Sequence, residues 1–255
     1  MNVLIDKFDV FAGGFWLTLQ ICVLAAIGAL ILGAVVAVLR ISPVPPLRAI
    51  GTGYVNVFRN MPLTVVMFFA AFGLPVLGSN ADFLRVPGLD AVFSRLDTDL
   101  PYFRFALIAL VLYTAAFVCE ALRSGVNAVP AGQAEAARSL GLTFGQNLRH
   151  VVLPQSWKAS IVPLGSVIIA MIKNSALVGF FGVVGDLSQT ADQLTSAEGY
   201  AFVPVAIGIS IGYLIMTVPL GALLDRIEKR KPVRLLGVRL EMVEPEGGYD
   251  APGRR

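Results

Sequence analysis

The chain has 255 residues, of which 56% are apolar and only 15% charged, and its net charge is +3. Soluble domains carry about a quarter charged residues, so this composition, with a mean hydropathy of +0.75, excludes a soluble enzyme and points to a membrane protein. The small positive balance sits in separated clusters, which argues against nucleic acid and leaves the lipid bilayer as the surrounding medium. Cys22 and Cys119 both fall inside apolar runs and read as small buried hydrophobes, with no disulfide framework or metal site implied.

Five segments are long and apolar enough to cross a hydrocarbon core of about 30 Å at about 1.5 Å per residue, which predicts an all-α membrane protein. The first covers about residues 15–39 and is uncharged throughout. No basic region precedes it and no A-x-A site follows, so it is a retained span and not a signal peptide. Gly28 and Gly33, with Ala29 and Ala34, give it small faces suited to helix packing. The second covers about 61–79, starting at Pro62 and ending or kinking near Pro75. Phe68, Phe69 and Phe72 fall there at near-helical spacing and read as lipid or core contacts. The third, about 102–122, holds Glu120 near one end. The fourth, about 159–185, is interrupted by Lys173, and the fifth, about 199–224, is uncharged. Residues 1–226 thus form one membrane domain. Residues 227–255 form a polar, Gly- and Pro-rich tail, with disorder expected over its last dozen residues.

Lysine and arginine placement orients these spans. The connection between spans one and two carries Arg40, Arg48 and Arg59 with no acid. That between spans three and four carries Arg123, Arg138, Arg149 and Lys158, and the tail carries six more bases from Arg226 to Arg239. On the other side, the loop between spans two and three has four acids against two arginines, and Asp186, Asp192 and Glu198 follow span four. The N-terminus is therefore expected outside and the C-terminus in the cytoplasm.

The cytoplasmic loop of about residues 129–154 predicts two short helices. One begins after Pro130 and runs to Leu140, with Gly141 as a natural C′ residue. The other opens with Thr143-Phe144-Gly145-Gln146, an S/T-x-x-Q capping box, and Pro154 breaks the chain before span four. Ala134, Ala136 and Ala137 allow another surface to come close. Glu135, Arg138 and Arg149 supply polar contacts.

Glu135-Ala136-Ala137, Gly141 and then Val151-Val152-Leu153-Pro154 resemble the E-A-A loop of ABC-importer permease subunits in every spacing. Gly132-Gln133 before Ala134-Glu135 is similar to the G-Q-x-E-A-A text of the polar amino-acid importers. The segment Tyr54 to Pro62 is similar to their R-G-T-P segment, with Asn60-Met61 in place of Gly-Thr. Lys173-Asn174-Ser175-Ala176-Leu177 resembles their K-D/N-T-S-L segment, with Ser-Ala in place of Thr-Ser. The resemblance covers about residues 14–226, and the text looks closest to actinobacterial glutamate-type permeases. It implies a type I ABC-importer permease in the bacterial cytoplasmic membrane. Glu135, Ala136, Ala137, Gly141, Val151, Leu153 and Pro154 would then form the loop that docks in a groove of a cytoplasmic ABC ATPase dimer. That partner would bind ATP and Mg, with no cofactor or metal on this chain. It further implies a second permease, as a homologous chain or a second copy, and an extracytoplasmic amino-acid-binding protein.

Within the membrane, Lys173 lies near the centre of span four, where an ionised group costs roughly 2.5–3.5 kcal/mol on the mildest scale. Two readings stand. Lys173 pairs with a substrate carboxylate or holds Asn174 and Ser175 beside a path, or else it pairs with Glu120 or backbone carbonyls to fix packing. Arg59, Asn60 and Pro62 at the start of span two are further path candidates, with Arg59 equally readable as a positive-inside anchor. Glu120 is expected to snorkel or pair with Arg123.

Other functions fare worse. No lysine follows a glycine anywhere, so the chain has no G-x-x-x-x-G-K-[S/T] phosphate loop and is no ATPase of that kind. A membrane enzyme is poorly supported, because the single histidine, His150, falls in the loop. A stand-alone ion-coupled secondary transporter of small polar solutes remains the alternative, although no internal repeat stands out.

Overall fold

The computed structural model describes residues 3–76, 101–183 and 185–229, which are helical with no strand among them. Among the described residues, four helices are long and apolar enough to cross a membrane: Phe8–Ile41, Tyr102–Asn127, Gly145–Leu177 and Phe202–Glu228. A fifth span results if the bent pair Pro45–Asn60 and Leu63–Val76 is one crossing. The acidic loop between spans two and three and the basic, Gly- and Pro-rich tail fall almost wholly outside the described residues.

A short helix, α1 (Val3–Asp6), leads into the 34-residue α2 (Phe8–Ile41). Helix α2 takes in Asp9 in its first turn and Arg40 in its last, extending the apolar run at both ends. It stops at Ser42, which precedes Pro43 and is pushed out of the helical region. Helix α3 (Pro45–Asn60) then starts with proline at its first positions, where a missing N–H costs nothing. Arg48 and Arg59 give this stretch the look of a connection in the sequence. It is a helix whose inner face is Gly51, Val55 and the half-buried Tyr54 and Phe58.

Pro62 holds Met61 in an extended conformation (φ −93°, ψ 135°), and the chain turns by 102° into α4 (Leu63–Val76). Helix α4 widens into a π turn at Phe69–Gly73, just ahead of Pro75. Pro75 has no N–H to return to the preceding turn, so the ladder loosens there. Phe68, Phe69 and Phe72 are exposed within the single chain, which favours the first of the two readings, lipid or core contact, although Phe72 also meets the Phe181 ring edge-on.

Helix α5 (Pro101–Asn127) is the centre of the bundle. Phe103, Leu110, Ala115, Ala116, Val118 and Cys119 are fully enclosed. Phe103 and Leu110 pack with Ile21, Cys22 and Ala25 of α2 and with Leu63 and Met67 of α4, while Ala116 and Cys119 pack with Val36 and Ala37 of α2 and Val55 of α3, and Val118 with Ala29. The small residues of α2 set this spacing: a Cβ added at Gly33 would stand 2.9 Å from the Ala115 carbonyl oxygen.

The loop supplies α6 (Ala131–Ser139) and α7 (Phe144–Asn147), and a π turn at Leu148–Val152 runs into α8 (Leu153–Asn174). Pro154 explains this second π turn as Pro75 does the first. Where the fourth apolar run was expected at about 159–185, helix begins at Leu153. Past Asn174 it breaks into 3-10 turns at Ser175–Leu177 and Gly179–Phe181. Gly182 closes the second turn at φ +96°, in the left-handed region. A short α9 (Gln189–Asp192) and a π turn precede α10 (Phe202–Lys229). The outward face of α10, with Ile207, Ile211, Leu214, Ile215 and Val218, is bare within the single chain.

Candidate functional site

The loop between α5 and α8 is built from its ends inward. Helix α6 closes with a full Schellman arrangement: the Gly141 N–H reaches the Arg138 carbonyl at 2.9 Å and the Leu142 N–H reaches Ala137 at 3.2 Å. Gly141 has φ +81°, the conformation that its position after the helix demands. Helix α7 opens with the reciprocal capping box: the Thr143 N–H donates to Gln146 Oε1 at 2.9 Å, and the Gln146 N–H donates to Thr143 Oγ1 at 3.4 Å. Asn147 donates to the Ala134 carbonyl at 2.9 Å, and the Gln155 amide meets Gln133. Two long-range ties therefore hold the two arms of the loop together.

Within this frame Ala137 is buried, while Glu135, Ala136 and Gly141 are exposed and Val151 is half-buried. Leu153 and Pro154 are exposed in the first turn of α8. Leu140 is 81% exposed. With Gly141, Leu142, Gln146 and His150 it borders an open recess of about 300 Å³. An apolar side chain held this far out by a rigid cap is shaped to meet another surface.

The membrane charges are arranged differently from the expectation. Glu120 pairs with neither Lys173 nor Arg123; it binds Arg40 of α2 directly and lies 3.5 Å from Arg59 of α3. The reason is geometric. Helix α3 packs across α2 and α5, which brings two arginines assigned to a connection up to one carboxylate. Asn60 donates to the Asn56 carbonyl at 2.7 Å, and Pro62 is the N-cap of α4, so both residues shape the corner.

Lys173 is not at the centre of the fourth span, as its place in the apolar run suggests: the helix starts earlier, at Leu153, so Lys173 falls in the last turn of α8, exposed and with no ion pair among the described residues. Asn174 lines a cavity of about 220 Å³ together with Tyr113, Thr114 and Phe117 of α5 and Val167, Ala170 and Met171 of α8. Ser175 is not grouped with them. It is fully buried, donates to the Ile172 carbonyl at 2.7 Å, and accepts from Cys22 at 3.3 Å. The 3-10 turn after Asn174 rotates it inward, towards α2. Tyr113, Thr114 and Phe117 escaped the sequence reading because they belong to an apolar span and meet Asn174 only through helix packing.

A second missed cluster closes the opposite end. Asp186 Oδ1 accepts from the Gln189 N–H at 2.9 Å, and Oδ2 accepts from the Ser188 N–H at 3.1 Å and the Ser188 hydroxyl at 2.7 Å. Burial pushes the Asp186 carboxyl up, and these hydrogen bonds pull it part of the way back. The adjacent Leu187 N–H donates to Thr18 of α2 at 2.9 Å. Further out, Lys7 pairs with Glu198 at 2.6 Å and stands over the Tyr200 ring; the hydrogen bond to Glu198 raises the lysine.

Membrane-length helices with a capped, outward-facing helical loop fit a membrane transport subunit that meets a partner. Residues 29–231 match the family described as binding-protein-dependent transport system inner membrane component, and the chain belongs to that family. It is similar to the glutamate transport system permease protein GluC of Corynebacterium efficiens, with 41% identity over 86% of this chain and 93% of the relative. It is also similar to the probable glutamine ABC transporter permease protein GlnM of Bacillus subtilis, with 38% identity over 90% and 97%. Among solved structures, one chain of an amino acid ABC transporter crystallised with histidines matches with a TM-score of 0.76, 31% identity, and coverage of 89% and 97%. The chain is therefore a multi-pass inner-membrane permease subunit with the type I ABC-importer fold, and the ATPase is a separate subunit.

Proposed function

We propose that this permease translocates glutamate or another polar amino acid by alternating access, driven by ATP on its partner subunits. The observation that carries the reading is the capped two-helix loop, which presents Glu135 and Leu140 outward on a frame fixed by Gly141, Thr143, Gln146 and Asn147. In this reading residues 1–226 are the permease domain, with the N-terminus outside and the loop and tail in the cytoplasm. The loop, from Glu135-Ala136-Ala137 through Gly141 to Val151, Leu153 and Pro154, docks on a cytoplasmic ABC ATPase dimer that binds ATP and Mg. An extracytoplasmic binding protein delivers the amino acid to the outer face. A second permease, homologous or identical, completes the path beside the bare apolar faces.

The substrate path runs by the cavity at Asn174, Tyr113 and Thr114, where an amide and two hydroxyls offer donors to a carboxylate, with Lys173 supplying charge beside it. Arg59, Asn60 and Pro62 act at the path's cytoplasmic corner. The relatives' glutamate and glutamine names support the substrate class.

The test is uptake into proteoliposomes holding the purified transporter. Uptake of labelled glutamate or glutamine that requires the ATPase subunit, ATP and the binding protein is the expected result. Uptake on an ion gradient alone would overturn the proposal in favour of a secondary transporter.

A further inference from the structure

Glu120 lies where three helices meet. One of its oxygens, Oε1, takes both guanidiniums: Arg40 of α2 by a direct hydrogen bond, and Arg59 of α3 at 3.5 Å. Arg40 is largely buried and also reaches the Cys119 thiol at 3.9 Å, while Arg123 adds positive charge nearby. A buried arginine with no counter-charge is costly, so the carboxylate holds α2 and α3 to α5.

The position of Glu120 along the chain gives this clasp a direction. Helix α5 continues unbroken from Glu120 to Asn127 and reaches α6 after only Ala128, Val129 and Pro130. The same end of α5 is pressed onto α8, the helix that leaves the loop. A Cβ at Gly125 would stand 2.5 Å from the Ser156 carbonyl oxygen, so the two helix backbones are in close contact there. On the far side of the clasp, Arg59 stands next to the Asn60–Pro62 corner from which α4 departs at 102°. Tyr54 of α3 adds a hydrogen bond of 2.6 Å to the Leu112 carbonyl of α5, so α3 is held to α5 at two levels.

We propose that Glu120 is a coupling residue, carrying movement of the ATPase-docking loop into α2 and the α3–α4 corner through Arg40 and Arg59. The inference rests on the coupling role proposed above for the loop. Glu120 does not line the cavity at Asn174; its role is to position the elements that open and close the path.

The experiment measures ATP hydrolysis and amino-acid uptake in the same proteoliposomes, using the complete transporter and labelled glutamate or glutamine, whichever the unaltered transporter takes up. Glu120→Gln is expected to leave assembly and ATP hydrolysis in place while uptake per ATP falls by about fivefold or more, the lower end of coupling between distant sites. Arg59→Gln removes only the longer contact, so it should lower the ratio in the same direction by less. It also serves if Glu120→Gln fails to assemble. The exchange of Arg40→Glu with Glu120→Arg should restore part of the ratio. Unchanged uptake per ATP in both single variants overturns the proposal. A parallel fall in hydrolysis, uptake and assembled complex also overturns it, because that marks a merely structural ion pair. Glu135→Arg is the separate control: normal ATPase association from that variant would remove the docking role itself, whatever Glu120 does.

Discussion

Asn147 reaches back across the loop and donates its side-chain amide to the Ala134 carbonyl, 13 residues earlier, at 2.9 Å. That bond ties α7 to the Glu135-Ala136-Ala137 stretch. Asn147→Ala removes it at a cost of about 1 kcal/mol, the usual net worth of such a bond. The expected outcome is faster hydrogen exchange over residues 131–152 and weaker ATPase co-purification in mild detergent, with membrane insertion unchanged. Exchange at the original rate would show that the caps alone hold the loop.

Gly141 gives a sharper test, because its φ of +81° is strained for any residue with a β-carbon. Gly141→Val places a branched side chain in the left-handed region, at about 1–2 kcal/mol. ATPase association should fall. Gly141→Asn should be milder, since asparagine tolerates that conformation. Equal behaviour of the two variants would mean that side-chain bulk at the interface, and not backbone strain, decides docking.

Glu135 is exposed, and its backbone carbonyl is tied down by the Ser139 hydroxyl at 3.1 Å. Glu135→Arg reverses a charge without touching the loop's internal bonds. Loss of ATPase co-purification with unaltered hydrogen exchange in the loop is the expected pair of results.

These loop features were legible in the sequence because caps are local. A Gly at C′ and a Thr three residues ahead of a Gln act within a single turn, and their spacing is the structure. Helix α3 was not legible for the opposite reason. Its inner face holds only Gly51, Tyr54, Val55 and Phe58, and Arg48 and Arg59 made the stretch look like a connection. The Arg40–Glu120 pair joins residues 80 apart, so charge sidedness placed each partner near a membrane surface but could not bring them together. Ser175 shows how a local change undoes a pattern. Read as continuing α8 beside Lys173, it is turned inward by one 3-10 turn and bonds to Ile172 and Cys22.

Asp186 makes the protein's stability depend on pH. Burial raises its carboxyl in the folded state above its unfolded value. Stability from this group is therefore fully present below the unfolded carboxylate range, near about pH 4, and is lost as pH rises through the higher folded value. Asp186→Asn keeps an acceptor for the Gln189 N–H and removes the ionisation. Thermal unfolding followed from acid to neutral pH should decline less in Asp186→Asn than in the unaltered protein. Parallel curves would assign the pH dependence to other groups.

Lys173 has no ion pair among the described residues, and its neighbour Asn174 opens onto the cavity bordered by Tyr113 and Thr114. Lys173 stands in the last turn of α8, at the end of the span, where its charge can meet a partner that comes and goes or one on another chain. If that partner is the substrate, Lys173→Met removes the charge while keeping the length of the side chain. Uptake then falls, while the ATPase, the second permease and the binding protein still co-purify in normal amounts. Asn174→Leu should act the same way, since it replaces a side-chain amide lining the cavity with an apolar group. If Lys173 instead faces a group on the second permease, Lys173→Met weakens permease pairing and Asn174→Leu does not. Uptake and subunit stoichiometry measured on the two variants side by side separate these outcomes, and normal uptake from both would remove this cavity from the substrate path.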